Sequence, residues 1–147
     1  MSYVAVVGPG DGGDLAAAET VGRGLAARGA VLVCGGLGGV MEAACRGAKR
    51  AGGTTVGILP GTDRGEANEF VDVAIPTGLG QARNALVVRA ADAVIAVGGG
   101  YGTLSEIALA LKAGQRVVGL GSWDIEGVER VDTPQAAVEA VLEKPLT

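Results

Sequence analysis

Three short apolar segments of this 147-residue chain each end in a cluster of glycines, and this arrangement constrains the fold more than any other feature. The segments cover residues 3–7, 30–34 and 93–97. A stretch with helical spacing of apolar residues follows each cluster. Repetition of strand, glycine turn and helix is typical of parallel strands joined by crossovers.

The other apolar segments complete a sheet that is covered on both faces. We predict an α/β fold with a Rossmann-like, doubly wound parallel sheet, formed as a single domain over residues 1–147. The predicted strands cover residues 3–7, 30–34, 54–59, 71–75, 93–97 and 116–120, and the predicted helices cover residues 15–27, 40–51, 81–91, 104–113 and 134–142, with Thr133 as the last N-cap. Residues 60–69 form a polar loop that is a candidate lid, and a short polar connection follows residue 122.

Composition excludes several classes of site and partner. The chain has no histidine, which excludes histidine-based triads and metal sites. Its net charge is −4 and it has one Trp, one Phe and two Tyr, so we predict no nucleic-acid partner. Cys34 and Cys45 fit neither a zinc site nor a secreted disulfide framework, and we interpret them as core residues. With no export signal or bilayer-length apolar run, we predict a cytoplasmic protein with no membrane partner. Because histidine and a zinc-like cysteine spacing are both absent, we also predict no metal.

The first glycine turn, from Gly8 to Gly13, has the G-x-G-x-x-G spacing of dinucleotide-binding proteins. That fingerprint requires an acidic residue at the end of the second strand, where this sequence instead reads Cys34-Gly35-Gly36. NAD(P) binding is therefore disfavoured. Gly8 and Gly10 are predicted ligand contacts, the alternative being that they only let helix and strand pack closely.

The second turn has four glycines in five positions, which is more than a simple turn requires. The helix that follows begins near Val40, so several backbone amides can converge with its positive end on an anion. The predicted ligand contacts are Gly35, Gly36, Gly38 and Gly39. Glu42, in the first turn of that helix, complements the helix dipole and needs no ligand to explain it.

The third turn is the most informative of the three. Its exposed amides and a threonine hydroxyl form a phosphate cradle at the start of a helix. The predicted contacts are Gly98, Gly99, Gly100, Gly102 and Thr103. The turn lacks the lysine of a P-loop, so triphosphate chemistry with magnesium is not indicated. Thr103 and Glu106 also have the spacing of a capping box, which is compatible with a functional role.

The segment from Gly98 to Glu106, preceded by residues 81–84 and 91–93, closely resembles the signature of the LOG (Lonely guy) family, long mislabelled as lysine decarboxylases. The family hallmark is P-G-G-x-G-T-x-x-E. Here Val97 or Gly98 replaces the leading proline, and Arg83-Asn84 replaces the usual Arg-Lys pair. The resemblance spans roughly residues 3–120.

The resemblance implies hydrolysis of the N-glycosidic bond of a nucleoside 5′-monophosphate to free base and ribose 5-phosphate, with Arg83 and Glu106 as the essential pair. Glu106 is suited to stabilising an oxocarbenium-like ribose or activating water. Arg83 is suited to holding the 5′-phosphate or orienting Glu106, the alternative being an exposed helix arginine. Residues 61–69 are a candidate wall for the purine. The reaction requires no cofactor.

A second group of segments, residues 58–61, 67–68, 75–78 and 82–84, resembles the short bacterial branch that is similar to molybdenum-cofactor carrier proteins. Such proteins bind a phosphorylated cofactor without hydrolysing it, and the resemblance then implies Arg83 and Asn84 as anion ligands. A nucleotide sensor without turnover is a third possibility. The hydrolase, the carrier and the sensor would all have a phosphorylated small molecule as partner.

Two further expectations follow from the LOG resemblance. Family members are usually dimers or larger, so we predict a homodimer or higher homo-oligomer, with the helices at residues 81–91 and 104–113 as its interface. Lysine decarboxylation is disfavoured, because a pyridoxal Schiff base needs a lysine, and Lys49, Lys112 and Lys144 all fall near helix ends, where exposure to solvent explains them.

Overall fold

A seven-stranded parallel sheet forms the centre of the computed structural model, which describes residues 1–142. The strands are β1 (Tyr3–Val7), β2 (Val31–Cys34), β3 (Thr55–Leu59), β4 (Val73–Pro76), β5 (Ala93–Val97), β6 (Arg116–Leu120) and β7 (Val128–Val131). The helices are α1 (Leu15–Ala27), α2 (Val40–Arg50), α3 (Asn84–Arg89), α4 (Tyr101–Lys112) and α5 (Pro134–Leu142). The predicted α/β class is confirmed.

The order of the strands places a crevice at the middle of the sheet. The order is β4-β3-β2-β1-β5-β6-β7, and every neighbouring pair is parallel. From β1 the chain first builds outward through β2, β3 and β4, and then crosses to the other side of β1 with β5. The loops after β1 and β5 therefore diverge at their carboxyl ends, which is where ligands bind in doubly wound sheets.

Helices cover both faces, and the central strands are apolar on each. Val4 and Val6 pack with α1, α2 and α5, whereas Ala5 and Val7 pack with α3 and α4. Because both faces are buried, β1 is continuously apolar rather than alternating. Cys34 belongs to the first of these layers together with Cys45, and both are free, buried thiols, as their interpretation as core residues requires.

The main departure from the predicted elements is β7, which lies in the segment expected to be a polar connection. It is the edge strand of the sheet and pairs with β6 alone. Its two central residues, Glu129 and Arg130, are exposed, and only its ends are half-buried. A strand with so little buried surface has no apolar run by which to predict it.

Smaller corrections concern the helices near the crevice. Helix α4 begins at Tyr101, three residues before its predicted start, because Gly100 is its N-cap. The segment predicted as one helix from residue 81 is a 3₁₀ helix, Gly80–Arg83, followed by α3. The polar loop at residues 60–69 contains a second 3₁₀ helix, Arg64–Glu66. Lys144 lies outside the described residues. Within residues 1–142 no helix has the length and apolarity needed to cross a bilayer.

Candidate anion-binding site

A cavity of about 360 Å³ opens at the carboxyl edge of the sheet, between the loops that follow β1, β2 and β5. Its volume is in the range of small-molecule sites. The predicted site residues that line it are Gly8, Gly10, Gly35, Arg83, Asn84, Gly100, Gly102, Thr103 and Glu106. The other predicted contacts, Gly36, Gly38, Gly39, Gly98 and Gly99, lie outside its lining.

The glycines outside the lining shape the loops instead. Gly39 is the N-cap of α2 with φ 62°, and a side chain there would collide with the carbonyl oxygen of Pro9. The same Pro9 carbonyl accepts a hydrogen bond of 3.0 Å from the Val40 N–H. Gly39 therefore lets the turn after β2 lie directly against the turn after β1, which forms one wall of the cavity.

The N-terminus of α4 presents a set of unused hydrogen-bond donors. Within residues 1–142, the backbone N–H groups of residues 99–103 have no acceptor. Thr103 is 2% exposed, it lines the cavity, and its Oγ1 has no partner among the described residues. The capping box does not form, since Gly100 is the N-cap and makes no side-chain cap. Amide donors, a hydroxyl and the positive end of the helix dipole thus converge on one position. An anion at this position would accept hydrogen bonds from these donors. We call residues 99–103 the α4 cradle.

Arg83 brings a buried positive charge to the same cavity. It is 6% exposed, so it is not the exposed helix arginine that its sequence position allowed. Its Nε donates a 2.9 Å hydrogen bond to the Ile58 carbonyl, and Nη1 donates to the side-chain oxygen of Asn84. Its Nη2 lies so close to Gly35 that a side chain there would displace it. Burial lowers the pKa of Arg83, while the nearby Glu106 carboxylate raises it.

Asn84 connects this arginine to α4. It is 4% exposed, and its Nδ2 donates a 3.1 Å hydrogen bond to Oγ of Ser105. The amide therefore accepts from Arg83 on one side and donates to α4 on the other. This arrangement fixes the guanidinium relative to the α4 cradle.

Glu106 lies one turn along α4 from Thr103 and is 7% exposed. Among the described residues, none donates a hydrogen bond to its carboxyl group or forms an ion pair with it. Burial raises the pKa of Glu106 to about 7, and the positive charge of Arg83 opposes the rise. A carboxyl group with this pKa can gain or lose a proton near neutral pH.

Several lining residues have no signal in the glycine motifs. Pro9, Leu37 and Met41 contribute an apolar wall, and Asp11 and Gln81 are polar. All five lie within a few positions of a predicted contact, four in or beside a glycine turn and Gln81 beside Arg83, so this proximity was the available clue.

The candidate lid does not wall the cavity. No residue of the loop at 60–69, all of which the structure describes, belongs to the lining. Asn68 instead supports the turn after β2, since its N–H donates to the Gly36 carbonyl at 2.9 Å and its Nδ2 donates to the Leu37 carbonyl at 2.8 Å. The prediction that this loop forms a wall for a purine is wrong for the conformation described.

A doubly wound sheet whose glycine loops and α4 N-terminus surround a cavity at the switch point defines a Rossmann-like protein with a candidate anion site. Within this class the chain belongs to the SLOG cluster4 family, whose model matches residues 1–144.

Two individual proteins are similar in sequence to this chain. An uncharacterized protein of Archaeoglobus fulgidus is 49% identical over 141 residues, covering 94% of this chain and 93% of its own. A rice protein described as a probable cytokinin riboside 5′-monophosphate phosphoribohydrolase is 36% identical over 94 residues, covering 62% of this chain and 41% of its own length.

The solved structures point to a second kind of relative. The molybdenum cofactor binding protein of Rippkaea orientalis is 40% identical with a TM-score of 0.90, covering 95% of this chain and 94% of its own. A molybdenum cofactor carrier protein of Chlamydomonas reinhardtii is 40% identical with a TM-score of 0.86 and the same coverage. The predicted LOG-like family and the likeness to carrier proteins are both confirmed.

Proposed function

We propose that this protein binds the molybdenum cofactor as cargo and holds the phosphate of its pterin in the α4 cradle. The observation that carries the proposal is the Thr103 hydroxyl, which is buried and unpartnered within the described residues and lines the cavity beside the free amides. A phosphate oxygen accepts from such donors and removes the cost of leaving them unsatisfied. The whole-length likeness to proteins that bind this cofactor supports its choice as the ligand.

The charge and the shape of the cavity fit a molecule that is partly apolar and has an anionic end. Arg83 is the one Lys or Arg side chain among the lining residues that the structure describes, and it complements a phosphate. Pro9, Leu37 and Met41 offer an apolar surface to a flat heterocycle. Binding that depends mainly on backbone amides and one fixed arginine suits a carrier, because it requires no bond to be broken.

Replacing Thr103 by valine tests the cradle directly. The purified protein is mixed with molybdenum cofactor released from a loaded enzyme, and bound molybdenum and pterin are quantified after gel filtration. We expect about one cofactor per wild-type chain, and affinity about threefold to tenfold weaker in Thr103→Val, because one hydrogen bond to an anion is lost.

Thr103→Ser is the matched control, since it keeps the hydroxyl and loses only a methyl group. Its affinity should remain close to that of the wild type, and inorganic phosphate should compete with the cofactor. Absence of binding to the wild type, or equal affinity in the valine variant, would contradict the proposal.

Hydrolysis of nucleoside 5′-monophosphates is the second candidate function, and Glu106 is the observation that favours it. The carboxyl group lines the cavity without a hydrogen-bond donor or ion-pair partner among the described residues, close to the place proposed for the phosphate. The partial match to the rice phosphoribohydrolase agrees with this activity. A carboxylate beside an anomeric carbon is what cleavage of an N-glycosidic bond requires.

Incubation with a panel of nucleoside 5′-monophosphates separates the two candidates. The carrier proposal expects no release of ribose 5-phosphate above the level seen with Glu106→Gln. Release by the wild type that disappears in Glu106→Gln, with binding of the nucleotide retained, would instead establish the hydrolase. Glutamine is the appropriate variant because it keeps the shape of the side chain and removes its charge.

Association of two or more copies through α3 and α4 is also part of this proposal. Leu86 of α3 is 41% exposed and Leu109 of α4 is 39% exposed. Leu109 and Ala85 line two adjoining surface depressions between these helices. A second copy of the same face would cover them. Sedimentation equilibrium measures whether the wild type associates and whether Leu109→Glu, which places a charge on this face, weakens the association.

A cytoplasmic location and a single domain stay predictions.

A further inference from the structure

Trp123 contacts the α4 cradle although it belongs to none of the glycine turns. It lies in the connection between β6 and β7, and its indole Nε1 donates a 3.1 Å hydrogen bond to the carbonyl oxygen of Gly100. The side chain is half-buried and does not line the cavity. Its contact is therefore with the backbone of the cradle and not with the space that a ligand would fill.

The accepting carbonyl is held from two directions. The Gly100 oxygen also accepts a 2.9 Å hydrogen bond from the Leu104 N–H, which begins the hydrogen-bond ladder of α4. Because a peptide unit is planar and trans, the N–H of Tyr101 points away from the Gly100 carbonyl in the same plane. A bond that fixes this carbonyl consequently fixes the direction of the Tyr101 N–H, which is one of the unpartnered donors of the cradle.

Packing reinforces this hydrogen bond. A side-chain carbon added at Gly99 would lie 3.3 Å from Nε1 of Trp123, so the indole is in close contact with the loop. The ring of Tyr101 stacks on the indole, with centroids 6.3 Å apart and planes 27° from parallel. Trp123 thus contacts three consecutive residues of the cradle, at positions 99–101.

We propose that Trp123 is a positioning residue for the anion, whose indole N–H holds the loop at residues 99–101 in the conformation that directs its amides at a phosphate. The proposal rests on the proposed function, because it assumes that the α4 cradle binds the phosphate. It assigns a role to a residue that lies 17 positions beyond Glu106, outside the glycine signature.

The first test is Trp123→Phe, which removes the N–H and keeps an aromatic ring against Tyr101. Calorimetric titration with AMP and with inorganic phosphate should show affinity about fivefold weaker than wild type, as expected for the loss of one ordering hydrogen bond. Thermal unfolding is recorded for the same samples.

Val138→Ala is the matched control for stability. Val138 is buried in α5, it packs over Gly24, and it is absent from the cavity lining. The substitution should lower the melting temperature without changing the affinity for AMP. If affinity fell equally in both variants, or remained at the wild-type level in Trp123→Phe, the positioning role would be overturned.

A second measurement does not depend on any variant folding. Trp123 is the single tryptophan of the chain, so emission excited at a wavelength that tyrosine does not absorb reports on this position alone. Saturation with AMP or phosphate should shift or quench the emission, because the hydrogen-bonded carbonyl belongs to the loop that binds the anion. Binding seen by calorimetry without any change of emission would contradict the proposal.

The outcomes distinguish this inference from the proposed function on which it rests. If the wild type bound neither AMP, inorganic phosphate nor the molybdenum cofactor, the cradle itself would be refuted and both proposals would fall. If the wild type bound them and Trp123→Phe bound them equally well, only the role of Trp123 would be lost.

Discussion

Replacing Arg83 by methionine should weaken the binding of a phosphate monoester about a hundredfold. The guanidinium is 6% exposed and lines the cavity, where its Nη2 group lies beside Gly35. Charge-assisted hydrogen bonds from a desolvated arginine to an anion contribute about 3 kcal/mol, which corresponds to this factor in Kd. Methionine fills a similar volume without charge or donors. Calorimetric titration with AMP measures the change.

Arg83→Lys separates the charge of this residue from its geometry. A lysine keeps the positive charge but cannot make the bonds of Arg83 to the Ile58 carbonyl and to Asn84 together with a forked contact to phosphate. We expect an intermediate loss of about tenfold. If both variants bound AMP like the wild type while melting at lower temperature, Arg83 would have a structural role only.

The sequence predicted those parts of the site that depend on local backbone chemistry. Glycines at the ends of buried strands, followed by helices, indicate anion sites because parallel strands bring their carboxyl ends to one edge. Gly8, Gly35, Gly100 and Thr103 were found in this way, and all four line one cavity. Arg83 and Glu106 depended on the family resemblance, since an arginine or glutamate in a helix is ordinarily exposed.

The remaining features depend on contacts distant in sequence, which spacing does not encode. The loop at residues 60–69 has the composition of a lid, but Asn68 binds the backbone of the turn after β2 from a distance of more than 30 residues. Trp123 follows β6 and reaches Gly100 because these strand ends are neighbours in the sheet. Strand β7 is stabilised by pairing with β6 rather than by an apolar pattern of its own. To predict any of these three features, the order of the strands in the sheet would have to be known, and the sequence analysis did not predict that order.

The free energy of unfolding should fall as pH rises from about 4 to about 8, and Glu106 should be the cause. Burial raises the pKa of Glu106 in the folded protein to about 7, from an ordinary value of 4.5. Between these values the folded state holds a proton that the unfolded state has released, so the unfolding free energy decreases with rising pH. The difference of 7 − 4.5 = 2.5 pKa units corresponds to about 3 kcal/mol, lost between about pH 4 and pH 8.

Urea unfolding of the wild type and Glu106→Gln across this pH range measures the effect. Glutamine cannot ionise, so the variant should lack this contribution, and the difference between the two proteins should change by about 3 kcal/mol in favour of the variant from pH 4 to pH 8. Other titrating groups affect both proteins alike and cancel in the difference. A constant difference would mean that the pKa of Glu106 is the same in the folded and unfolded proteins, with Arg83 or solvent offsetting its burial. A bound phosphate adds negative charge beside this carboxyl group and should raise the pKa of Glu106 further. In the same experiment with saturating AMP, the fall in the unfolding free energy should therefore occur at higher pH.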